Sequence, residues 1–105
     1  MTKTDELREE QEVLLEKKRT IEELLVSAGW KLLDAELIAS TRAYRQEDFA
    51  NGLPSVDSAF QSAGLRGVIE GLTRARAKPY QMLDDVVTDL ANIAIAIEEE
   101  RRDNE

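Results

Sequence analysis

Residues 30–44 read WKLLDAELIASTRAY and residues 51–55 read NGLPS, and these two stretches decide the fold. In the first, Trp30, Leu33, Leu37 and Tyr44 fall at i, i+3, i+7 and i+14, one face of a helix, and Leu32 and Ile38 widen the stripe. The second joins an Asn-Gly turn to Pro54 and a capping candidate, Ser55, and is the strongest break in the chain. Beyond it the spacing predicts a helix over 56–77 whose inner face is Phe60, Gly64, Gly67 or Val68, Gly71, Leu72 and Ala75. A connection this short makes the two helices antiparallel neighbours. The expected architecture is therefore all-α, an antiparallel helical hairpin of about 30–49 and 56–77. Each glycine inside a helix costs about 0.5–1 kcal/mol relative to alanine, so close approach of a neighbouring backbone is expected to offset Gly64, Gly67 and Gly71.

A further helix is expected on each side of the hairpin, making a small bundle or coiled-coil-like domain. Upstream, Thr2 or Thr4 is competent to cap a helix, with Asp5 and Glu6 in its first turn. Leu7, Leu14 and Ile21 then recur every seven residues, with Gln11, Lys18 and Leu25 between them, a diluted coiled-coil seam. Ser27-Ala28-Gly29 punctuates the end of this charged N-terminal segment, residues 1–28, where Ser27 can cap a new helix and Gly29 can end one. Whether the first two helices merge through Gly29 stays open. Downstream, Lys78-Pro79 marks a boundary, because proline suits a first turn and disrupts a helix interior. From Tyr80 an apolar stripe follows: Leu83, Val86 or Val87, Leu90, Ile93 or Ala94, and Ile97. This gives a C-terminal amphipathic helix over 79–102 and a disordered tail at 103–105.

The composition bounds the function. At 105 residues the chain supports one modest core, and 42% hydrophobic with 34% charged residues fits helices with wide solvated faces. No cysteine means no disulfide framework and no thiolate metal site. The longest apolar stretch, Val86 to Ile97, is broken by Asp89 and Asn92 and is too short to span a bilayer. A net charge of −8 disfavours nucleic acid and anionic membrane as partners. The charge is uneven: −3 over residues 1–29, −1 over 30–56, +2 over 57–78 and −6 over 79–105.

The absence of histidine removes the commonest general base, the commonest metal ligand and every Ser-His or Cys-His nucleophile. The glycines follow helical spacing and lack the lysine of a phosphate loop. What remains is carboxylate chemistry with magnesium at Asp84, Asp85 and Asp89 or at Glu98, Glu99 and Glu100. Helical nucleotide pyrophosphohydrolases use paired acidic helices in this general way, and Glu9 with Glu12 supplies their Glu-x-x-Glu spacing only formally. A solvated acidic face accounts for the same residues. Arg66, Arg74, Arg76 and Lys78 make the 57–78 helix basic, either to dock an acidic partner or to pair with the chain's own acidic C-terminal helix; the second needs no partner. Trp30 and Tyr44 read as core anchors and not as a ligand box.

Ala28-Gly29-Trp30-Lys31-Leu32-Leu33 opening a helix, then Gly64-Leu65-Arg66-Gly67-Val68-Ile69-Glu70-Gly71-Leu72 on the return and a close at Pro79, resembles a group of small helical-hairpin proteins of tailed bacteriophages. The resemblance covers roughly residues 26–80. It implies a product of the structural gene module, near portal and capsid genes, located in the virion or the host cytoplasm, and it brings no catalytic residue. The C-terminal helix departs from that pattern.

The expectation that follows is a non-enzymatic structural or interaction protein without cofactor. It would act as a homo-oligomer or dock on a capsid or portal protein; the alternatives are an acidic regulatory or inhibitory protein binding a host protein and, behind it, the magnesium-dependent phosphohydrolase. The hairpin is expected to pack through Trp30, Leu33, Leu37, Tyr44, Phe60, Gly64, Gly67, Val68, Gly71 and Leu72. The flanking helices are expected to offer Leu14, Ile21, Leu83, Val87, Leu90 and Ile97 to a partner.

Overall fold

The computed structural model describes residues 2–50 and 56–104, with side chains described outside 49–50 and 56–58. Three α-helices and no strand occur among the described residues: α1 (Lys3–Val26), α2 (Ala28–Ala50) and α3 (Val56–Asp103). The expected all-α fold is present. The turn at 51–55, with its capping candidate Ser55, lies outside the described residues.

Capping sets where α1 and α2 begin. The Thr2 hydroxyl accepts the Asp5 amide at 3.2 Å, and the Asp5 carboxylate accepts the Thr2 amide at 3.4 Å. This is the reciprocal arrangement of a capping box, with aspartate in the usual place of glutamate. The second break falls at Ser27, a bend between Val26 and Ala28. Its hydroxyl accepts the Trp30 amide at 3.1 Å and so caps α2. Gly29 stands inside the first turn of α2 and ends nothing.

The boundary expected at Lys78-Pro79 is absent: α3 runs unbroken for 48 residues with Pro79 inside it. A proline in a helix interior lacks one amide donor and crowds the carbonyl four residues back, at Ala75, which costs about 3 kcal/mol. The offset is visible in what surrounds it. Pro79 is itself buried, and the shielded positions of α3 keep heptad spacing on both sides of it, through Arg76, Leu83 and Val86. Helix also continues past the expected end, to Asp103, and the Asn104 amide closes it on the Glu100 carbonyl at 3.2 Å.

Two compact units form, one from residues 1–26 with 79–105 and one from residues 27–78. In the first, every residue of α1 that is not exposed belongs to a strict heptad series: Thr4, Leu7, Gln11, Leu14, Lys18, Ile21 and Leu25. Pro79, Leu83, Val86, Leu90, Ile93 and Ile97 form the matching series on α3, with Ala96, Glu98 and Glu100 half-buried beside it. The centre is Ile21 at 5% exposure and Val86 at 1%.

The second unit is an antiparallel hairpin of α2 and the first half of α3. Arg76 donates from Nε to Asp34 at 2.7 Å, while Asp48, toward the other end of α2, meets Arg66 at 3.6 Å and accepts from the Ser62 hydroxyl. The residue order of these pairs fixes the opposite running of the two helices. Trp30, at 7% exposure, is the buried anchor, and Asp34, Leu37, Thr41, Tyr44, Ser62, Leu65, Ile69, Leu72 and Arg76 are half-buried.

Candidate association surfaces

Two sequence-derived surfaces lie elsewhere in the structure than the stripes suggest. Of the residues expected to pack the hairpin, Trp30 is buried and Leu37, Tyr44 and Leu72 are half-buried, whereas Leu33, Phe60, Gly64, Gly67, Val68 and Gly71 are exposed. Leu33 is 52% and Phe60 75% exposed. The expected close approach at the glycines is not found: a Cβ built on Gly64, Gly67 or Gly71 would meet nothing within 4 Å. The cause on α3 is a shift of the stripe by about one position; on α2 the stripe holds at Trp30, Leu37, Ile38 and Tyr44, and only Leu33 gives way. Apolar spacing from Trp30 selects Leu33, but the shielded series is Trp30, Asp34, Leu37, Thr41, Tyr44 and Asp48. Its polar members are half-buried and partnered, Asp34 by Arg76, Asp48 by Arg66 and Ser62, and Thr41 by the Leu37 carbonyl. On α3 the shielded series is Ser62, Leu65, Ile69, Leu72 and Arg76, beside the glycines and not through them.

The second surface was expected to await a partner, and most of it is used within the chain. Ile21 is buried and Leu14, Leu83, Leu90 and Ile97 are half-buried, all on the shielded series of the unit formed by residues 1–26 and 79–105. Only Val87, 47% exposed, faces outward. A different apolar set is left on the outside of that unit: Val13, Leu15, Leu24 and Val26 on α1, and Tyr80, Met82, Val87 and Ile95 on α3. Hydropathy alone does not separate Val86 from Val87; the heptad register beginning at Pro79 does. Shallow grooves follow the outer set, one lined by Glu6, Glu9, Glu10, Val13, Leu14 and Ile93, another by Ala94, Ile95, Glu98, Glu99 and Arg102. In the 27–78 unit a third groove is lined by Glu47, Phe60, Gln61, Gly64 and Leu65.

Three of the basic residues of 57–78 pair with carboxylates of their own unit. Arg76 and Arg66 meet Asp34 and Asp48 of α2, and Arg74 meets Glu70 one turn back on its own helix. The acidic C-terminal segment holds cations of its own. Arg101 donates to Glu98 through Nε at 3.1 Å and through a terminal nitrogen at 2.6 Å, and Arg102 lies 3.5 Å from the same carboxylate. The hydrogen bonds from Arg101 draw the Glu98 carboxyl below its ordinary range and raise the Arg101 guanidinium in turn. On α1 the Glu16 carboxylate does the same for Arg19. Asp84, Asp85 and Asp89 are exposed, and among the described residues no three carboxylates come together in a way that could hold a metal ion.

The geometry defines a class: an all-α protein of paired helices whose outer faces are partly apolar. Comparison with known families, with curated proteins and with solved structures finds no match to the chain. No helix among the described residues is long and apolar enough to cross a membrane.

Proposed function

We propose that the chain is a non-catalytic protein that works by helix-on-helix association, as an oligomer or docked on a larger protein. The observation that carries this reading is the imbalance between core and surface. Among the described residues only Ile21, Trp30 and Val86 form a buried hydrophobic core, while twelve large hydrophobic side chains stand exposed. Two-helix units cannot enclose more, because within a unit each helical segment packs on one other, and exposed apolar area of this kind is what association removes from water. Sedimentation tests it: the mass is expected to rise with concentration above 11.8 kDa. A single species at the monomer mass across the range would overturn the self-associating form.

The resemblance carried by residues 26–80 gives the association a setting, a phage particle or its assembly, with a capsid or portal protein as the larger partner. Co-purification with virions tests that setting independently of mass. A second reading is favoured by charge. The unit of residues 1–26 and 79–105 holds sixteen acids and seven bases, −9 in all, the surface of a regulatory protein that occupies a basic groove on a host protein. It predicts binding that weakens steeply with salt.

A further inference from the structure

In the unit of residues 1–26 and 79–105, a shallow groove is lined from both helices by residues of two kinds. Val13, Leu14 and Ile93 make it apolar; Val13 is 67% exposed and the other two are half-buried. Glu6, Glu9 and Glu10, all exposed, stand at the end nearer the start of α1. Among the described residues these carboxylates enter no ion pair, whereas Glu16, Glu22 and Glu98 of the same unit are each held by a cation. Nor do they come together in a way that could hold a metal ion. Glu6 and Glu10 are one turn apart, a spacing at which like charges repel. This end of the unit is also the less filled. Its buried residues, Ile21 and Val86, lie elsewhere, and the seam positions of α1 beside the groove, Leu7, Gln11 and Leu14, are only half-buried.

The chemistry of the groove narrows what covers it. Nucleic acid and anionic membrane are repelled by a unit of charge −9. An extended peptide gains little, because helices offer no unpaired backbone edge for it to join. A second copy of this chain is a poor match, since Arg66, Arg74 and Arg76 of its basic stretch are already paired within their own unit. A helix with one apolar stripe meets the requirement. It lays that stripe over Val13, Leu14 and Ile93 and sets lysine or arginine against Glu6, Glu9 and Glu10, along about 12 Å of α1. We infer that this groove receives a basic amphipathic helix of another protein, which adds a third helix to the pair. This rests on the docked form of the association reading above and names the surface and the chemistry of the partner.

The probe is a synthetic peptide of about 18 leucine and lysine residues with its leucines at helical spacing. Its binding to the full chain is read by fluorescence anisotropy at low and high salt, beside a peptide of the same composition in scrambled order. The variant Glu6→Gln/Glu9→Gln/Glu10→Gln is expected to bind about tenfold more weakly at low salt and with a flatter salt dependence. Val13→Gln is expected to weaken binding about tenfold at both salts. Neutralising three exposed acids elsewhere in the unit, Glu23→Gln with Asp84→Asn and Asp85→Asn, is expected to cost less than about threefold. All substituted residues are exposed, and circular dichroism checks helicity; where the first variant loses it, Glu9→Gln alone takes its place. Equal weakening by the two charge triples, scrambled peptide bound as tightly as the ordered one, or no effect of Val13→Gln overturns the groove. A chain that ignores the peptide while its mass rises with concentration overturns the groove and leaves the association reading standing. One that ignores the peptide and stays at 11.8 kDa overturns the groove and the self-associating form together.

Discussion

At Glu98 one carboxylate collects two guanidinium groups, from Arg101 and Arg102, on the last turns of α3. Both cations also sit where the helix end favours positive charge. Since the folded pKa of Glu98 is lowered, chiefly by the Arg101 hydrogen bonds, its contribution to the helix end is fully present above the ordinary carboxylate range. It is lost as pH falls through the lowered value, while the arginines stay charged. Carboxyl-carbon NMR is expected to show Glu98 titrating below the ordinary carboxylate range, and Arg101→Gln to move it back toward that range. A midpoint unchanged by that substitution would mean the pair does not form in solution. Residue-scale reasoning from sequence reached the caps correctly, offering Thr2 and Ser27, because a hydroxyl before a helix has few other uses. It did not reach Asp34 and Arg76, since a charged residue in a seam is visible only once its partner, forty-two positions away, is placed beside it.

Among the elements, α3 holds the largest departures from expectation, and they share one origin. The glycine stripe and Pro79 each carry an intrinsic cost to a helix, and α3 runs through both. At Pro79 burial in the seam outweighs the lost amide. At Gly64, Gly67 and Gly71 no packing within the chain offsets the cost, so the helix simply bears it. Replacing all three by alanine is therefore expected to raise the unfolding free energy of the monomer by about 1.5–3 kcal/mol, which chemical denaturation at low protein concentration would measure. A loss of stability would show a close neighbour at the glycines after all. The ends of α1 and α2 were legible from caps and periodicity, Val26 and Ala50 falling within a residue or so of the expected limits, whereas the break expected at Pro79 is absent. Helix phase was legible on α2, where only Leu33 gives way to Asp34, and was missed on the 56–77 part of α3, where Phe60 and the glycines drew the stripe away from Leu65, Ile69 and Arg76.

For the molecule as a whole, the two units divide the small core between them: Val86 and Ile21 in one, Trp30 in the other. A cavity at Val86 removes contacts from one unit only. Val86→Ala is expected to cost about 2 kcal/mol and to speed amide hydrogen exchange across residues 3–26 and 79–103 more than across 28–50. Equal acceleration everywhere would mean that the chain opens as a single cooperative block.

Those units also differ in how the chain reaches them. Residues 27–78 are contiguous, while the other unit joins the first segment of the sequence to the last. On a ribosome moving at about 5–20 residues per second, α1 emerges and then waits roughly 3–10 s for residue 79 and those after it. During that interval Leu7, Leu14, Ile21 and Leu25 have no partner from their own chain, and a neighbouring nascent copy offers the same C-terminal helix. Chains translated side by side on one message therefore have a route to exchanging α1 that chains made far apart do not.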